Sequence, residues 1–146
     1  MENVKIEINN DKNFEEEIGK QLHQFNRKNC EYIQKKSNGA CVDTKIYNIA
    51  IYEEKELIGG AIGFIRYDWY FLEKLWIKEE YRRKGIGTKI INEIEKIAKE
   101  NNALGVRMET WSFQARGFYE KMGYTVYAIF EDCPPGTIDY FLKKKF

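Results

Sequence analysis

Apolar positions follow two rhythms along this chain, and the changes between them lay out its elements. Phe14, Ile18, Leu22 and Phe25 recur at helical spacing behind Asp11 and Asn13, either of which can cap, so a helix is predicted to residue 29 with that stripe as core. Residues 4–8 alternate as a first strand ahead of it, and residues 31–40 read as a second short helix and a loop ending near Asn38-Gly39. Two strands follow over 47–52 and 57–66, joined by the charged turn Glu53-Glu54-Lys55-Glu56, and Tyr67-Asp68 turns the chain into an aromatic strand over 69–77. The middle strand is apolar almost throughout, as in a central strand covered on both faces, and its glycines suit close packing or a bulge. At Ile86 the period lengthens. Ile86, Ile90, Ile91, Ile94, Ile97 and Ala98 define one helical face, with Lys89, Glu93, Glu95, Lys96, Lys99 and Glu100 mostly elsewhere around it. Strands are predicted again over 104–110, 124–130 and 138–142, and Lys143-Lys144-Lys145 reads as a solvated strand end.

The junction between the aromatic strand and the amphipathic helix is Arg82-Arg83-Lys84-Gly85-Ile86-Gly87-Thr88. Two glycines there let backbone N–H groups converge, and the helix start adds positive partial charge, so a phosphate-bearing ligand is the expected guest. A nucleoside-triphosphate loop requires Lys-Ser/Thr after its second glycine, but Gly87-Thr88-Lys89 reverses that order. The dinucleotide fingerprint requires a third glycine at position 90, which is isoleucine. What remains is Arg-x-x-Gly-x-Gly from Arg82 to Gly87. A second landmark follows downstream, Ala115-Arg116-Gly117-Phe118-Tyr119-Glu120-Lys121-Met122-Gly123-Tyr124.

The two motifs, in this order and separation, resemble the coenzyme A pyrophosphate loop and the Ala-x-x-x-Tyr-x-x-x-Gly-Phe/Tyr segment of the GNAT family of N-acetyltransferases. The resemblance is strong from about residue 57 to 127. It implies an α+β fold with a mixed, mostly antiparallel sheet flanked by helices on both faces. It also implies acetyl-CoA as co-substrate and transfer of acetyl to a primary amine of a small molecule or peptide by direct attack in a ternary complex. The pyrophosphate would sit on the backbone of Arg83, Lys84, Gly85, Ile86, Gly87 and Thr88, with Arg82 and Arg83 adding charge. Main-chain groups of Leu75, Trp76 and Ile77 would hold the pantetheine arm beside a bulge, one N–H polarising the thioester carbonyl. Tyr119 aligns with the family's proton donor to the leaving thiolate, and Tyr124 fits as core. Where many relatives carry an asparagine, this chain has Ser112, with Gln114 as a substitute.

The amine must lose a proton before attack, which calls for a carboxylate. Glu73, by simple alternation on the face of Leu75 and Ile77, either faces the substrate cleft or reaches a solvent edge; Glu109 on the neighbouring strand is the reserve. Trp111, Phe25, Tyr32 and Trp69 are candidates to line the acceptor pocket, with Glu31, Asp43 or Asp132 to attract an ammonium. A non-catalytic acyl-CoA-binding or sensor module is the alternative, since a pure binder needs neither Glu73 nor Tyr119.

Composition narrows the partners. The 146 residues suit one domain, 1–146, and 24 basic against 23 acidic side chains give no field favouring nucleic acid or an anionic membrane. No leader or membrane span is read, so a cytoplasmic protein is expected. Cys30, Cys41 and Cys133 lack ligand spacing and His23 is the single histidine, which argues against a metal and against a histidine-based triad. A homodimer is left open.

Overall fold

The computed structural model describes residues 4–38 and 41–146, so Gly39, where the first loop was expected to close, lies outside it. Contacts divide the chain into two compact units, one up to Asp43 and one from Thr44. The first contains α1 (Lys12–Asn29), α2 (Glu31–Lys36) and a ribbon of β1 (Ser37–Asn38) with β2 (Cys41–Val42). Asp11 is the cap: its carboxylate accepts the Asn13 N–H at 2.7 Å. The strand expected over 4–8 does not form. Val4, Ile6 and Ile8 are exposed with no strand beside them, because three alternating apolar residues specify nothing without a pairing edge. Phe14, Ile18, Leu22 and Phe25 are also exposed, contrary to the core role expected of them. Within their own unit, a six-residue helix and a two-stranded ribbon offer too little apolar surface to cover the stripe.

The second unit is built on a seven-stranded sheet of β3 (Lys45–Ile46), β4 (Ile49–Glu53), β5 (Glu56–Arg66), β6 (Trp69–Ile77), β7 (Gly105–Trp111), β8 (Thr125–Glu131) and β9 (Ile138–Lys145). The order is β3-β5-β6-β7-β9-β8, with β4 sharing the β5 edge; every pair is antiparallel except β6–β7. The β5–β6 hairpin turns on Tyr67 and Asp68, both at positive φ (54° and 56°), the twist a two-residue connection needs. Helix α3 (Ile86–Glu100) supplies the parallel crossover, and α4 (Arg116–Lys121) follows β7.

The isoleucines foreseen on one face of α3 do enter the core: Ile90, Ile91 and Ile94 are fully buried against Tyr70, Leu72, Val106, Met108 and Leu142. Burying each contributes roughly 2 kcal/mol. Glu95, on the same helix, is buried too, at 7 % exposure. Its partner is Lys144, whose ammonium lies 2.8 and 2.9 Å from the two carboxylate oxygens. Residues 143–145 are therefore not a solvated tail. They complete β9, and the middle lysine turns inward because the sheet alternates there as elsewhere.

Candidate active site

Strand β6 carries nine residues but does not alternate regularly. Ile62 faces Lys74 and Gly63 faces Leu72, so Glu73 is a surplus residue, a bulge against β5. Before it, Tyr70 and Leu72 point into the core; after it, Leu75 and Ile77 do. Glu73 consequently lies on the opposite face from Leu75 and Ile77, correcting the shared face that simple alternation implies. It opens beside Phe71 onto a depression of about 450 Å³, lined also by Phe64, Lys74, Arg107 and Glu109. The two candidate bases therefore share one cavity, and Glu109 forms an ion pair with Arg107 at 3.2 Å.

The parallel pairing of β6 with β7 ends at Leu72 opposite Met108. Beyond that point β6 continues along β5 as far as Ile77, and β7 along β9 as far as Trp111. The sheet thus parts, and the β7-facing edge of Leu75, Trp76 and Ile77 carries main-chain groups with no strand opposite. Arg82 reaches this edge, its Nε donating to the Ile77 carbonyl at 3.0 Å. Its side chain anchors the loop to β6, a task the motif did not reveal.

Residues 82–85 form exposed turns before α3, with Arg83 at φ 60°. Gly85 is the N-cap at φ 80° and no side chain caps the helix, so its first N–H groups are left to solvent or an anion. The two glycines differ in purpose. A Cβ on Gly85 would meet nothing within 4 Å, so that residue is required by its conformation; a Cβ on Gly87 would stand 3.1 Å from Phe118 Cζ and 3.3 Å from Ile77 Cδ1. Gly87 lets α3 start against α4 and β6. Exposed basic side chains at 82–84 and an uncapped 15-residue helix fit a pyrophosphate.

Tyr119 lies on α4, 7 % exposed, with Phe118 and Tyr124 edge-on at 5.1 and 6.1 Å. Burial pushes its pKa up to about 12. The spacing from Tyr119 to Gly123-Tyr124 has a local cause. Gly123, at φ 89°, donates to the Glu120 carbonyl at 3.0 Å, and the Tyr124 N–H donates to that of Tyr119 at 3.1 Å, which is a Schellman turn with its usual apolar contact. Tyr124 is core, as expected, and its hydroxyl donates to Glu95 at 3.2 Å.

The other nominated residues separate. Ser112 accepts the Ile138 N–H through Oγ at 3.2 Å, extending the β7–β9 ladder. Gln114 accepts from Thr110 Oγ1 and the Trp111 N–H through Oε1, leaving its amide NH₂ to donate. Trp111 stacks on Phe113 at 5.5 Å near the splayed end of the sheet. Trp69 sits at the opposite end of β6, and a Cβ on Gly105 would meet its ring at 2.8 Å, so it packs rather than lines the cavity. Asp132 closes its own loop by accepting the Gly136 N–H at 3.1 Å. Phe25, Glu31, Tyr32 and Asp43 belong to the first unit. Among the described residues no cluster of three metal-ligating side chains occurs, and no helix is long and apolar enough to cross a membrane.

Comparison with known proteins bears on the fold and the family. A structure of an acetyltransferase from Bacillus cereus superposes with a TM-score of 0.83 at 27% identity, covering 97% of this chain and 98% of that one. A fold neighbour from Bacillus anthracis, solved in complex with acetyl coenzyme A, gives 0.64 at 20% identity over 70% of this chain and 63% of its own. In sequence, the chain is 37% identical over 94 residues to the blasticidin-S acetyltransferase of Streptomyces morookaense, covering 64% of this chain and 69% of that protein. With the model of the acetyltransferase (GNAT) family matching residues 8–124, the chain belongs to that family.

Proposed function

We propose that the protein transfers acetyl from acetyl-CoA to a primary amine, of a small molecule in preference to a peptide, by direct attack in a ternary complex. The observation that carries this reading is the parting of β6 from β7 between an uncapped helix N-terminus and a buried tyrosine. When bound, acetyl-CoA would supply an activated thioester, with coenzyme A as the leaving thiol. Backbone N–H groups from Arg83 to Thr88 hold the diphosphate, and the open edge at Leu75, Trp76 and Ile77 holds the arm and polarises the thioester carbonyl. The Gln114 amide NH₂ and the Ser112 O–H are both available to donate to that arm, since each side chain serves only as an acceptor within the chain.

Glu73 accepts the proton of the incoming ammonium from the cavity face, directly or through water, with Glu109 in reserve. Tyr119 answers from the core face. A phenol with its pKa at about 12 stays protonated at neutral pH, yet full transfer to a thiolate whose acid titrates near 8.5 runs uphill. Tyr119 therefore acts chiefly by hydrogen-bonding the departing sulfur. The small-molecule preference is supported by the likeness to a relative named as a blasticidin-S acetyltransferase.

The test titrates the purified protein with acetyl-CoA, then follows thiol release against amino acids, polyamines, aminoglycosides and peptide N-termini. Turnover with a small amine supports the proposal. Binding without release from any amine favours a sensor module, and absence of binding eliminates both.

A further inference from the structure

The mechanism leaves one partly buried charged cluster unused. Lys144 Nζ donates to both oxygens of Glu95 at 2.8 and 2.9 Å and to the Met122 carbonyl at 2.9 Å, while the Tyr124 hydroxyl donates to Glu95 at 3.2 Å. One ammonium thus joins β9, α3 and the end of α4, with all three of its protons used. Met122 is the C-cap of α4, and its N–H donates to the Tyr119 carbonyl at 3.0 Å. A six-residue helix holds itself poorly, and its carbonyl end favours a nearby cation.

We propose that Lys144 is a positioning residue for Tyr119, acting through the Met122 carbonyl and the Schellman turn to fix where the phenol stands. This rests on the donor role assigned to Tyr119 above. The opposite end of α4 is held more loosely: Ala115 N–H reaches Thr110 Oγ1 at 3.4 Å, and the Arg116–Glu120 pair is exposed. Arg116 lies over the Tyr140 ring at 4.4 Å and Phe118 and Met122 pack on the core, while Lys144 supplies the charged tie at the C-terminal end of α4. The side chain of Lys144 also passes Gly123: a Cβ there would stand 3.5 Å from its Cε. Lys144, itself partly exposed, is the counter-charge of the buried Glu95, and Tyr124 bridges the ion pair to the ring of Tyr119.

The experiment uses the full chain with 3-fluorotyrosine at position 119. It compares Lys144→Met with the double variant Glu95→Leu/Lys144→Met, which leaves no unpaired carboxylate and keeps the test open if the single variant fails to fold. The proposal expects kcat for acetyl transfer to fall roughly tenfold, KM for acetyl-CoA to hold within about twofold, and the fluorine resonance to shift or broaden. The double variant is expected to regain most of the thermal stability without regaining kcat or the parent resonance. Recovery of kcat together with stability, or an unmoved resonance in a folded variant, overturns the proposal. The donor reading fails separately, by unchanged turnover in Tyr119→Phe, because the resonance reports the position of the ring whatever the ring does.

Discussion

Tyr119 and the two loop glycines carry the predictions that belong to single residues. Tyr119→Phe removes a hydroxyl and little volume, so turnover should fall about 10²-fold with cofactor affinity retained, measured as kcat against the acetyl-CoA dissociation constant. The direction of its pKa adds a second expectation. A donor works while protonated, and burial raises this phenol to about 12, so kcat should show no Tyr119-dependent decline up to pH 10, where an exposed tyrosine would be half ionised. Comparing the pH profiles of wild type and Tyr119→Phe checks this. Gly85→Ala should cost about 1 kcal/mol in denaturant unfolding, all of it conformational, since the added methyl meets nothing at φ 80°. Gly87→Val should instead displace Phe118, disturb the start of α3 and weaken acetyl-CoA binding, read by calorimetric titration. Residue types were legible from the motifs; their partners were not. Nothing in Arg-x-x-Gly-x-Gly says that the arginine grips the Ile77 carbonyl, or that one glycine serves conformation and the other packing.

The elements of the second unit were legible from the long helical period of α3 and from the apolar run of β5. Two errors came from features that a period does not encode. An extra residue at Glu73 reverses the phase of β6, and a charge buried by a distant partner, Lys144 for Glu95, looks like surface on either element alone. Removing that partner strands a carboxylate in the core, so Lys144→Met should cost roughly 3 kcal/mol in denaturant unfolding. The sign is opposite at Asp139 on β9. Its Oδ1 is buried without a hydrogen-bond partner, and burial raises its pKa above the usual 3.8. The native state then holds that proton more tightly than the unfolded chain, so stability is lost as pH rises through the raised value. Asp139→Asn should raise the melting temperature by roughly 2 to 4 °C at pH 7 and leave it unchanged at pH 3.5.

At the scale of the whole molecule, the sheet and every residue assigned to acetyl transfer belong to the unit beginning at Thr44. Neither α1 nor α2 buries a residue, and most helical stability in proteins comes from packing an apolar face. Calorimetry of the full chain should therefore show a single heat-absorption peak, as expected of one domain; two resolved peaks would give the first unit a stability of its own. What composition revealed at this scale was mostly exclusion. A near-balanced charge gives no field that favours nucleic acid or an anionic membrane, and it says nothing of the acceptor. The bulge also has a consequence for comparing this chain with its relatives. Nine residues of β6 occupy eight rungs against β5, so a relative whose strand runs without the surplus residue must be aligned with a gap at Glu73. An ungapped match would equate inward-facing side chains with outward-facing ones at every later position of the strand. Deleting Glu73 makes that gap real: the eight rungs against β5 are kept, Leu72, Leu75 and Ile77 fall on one face by plain alternation, and only the bulge is lost.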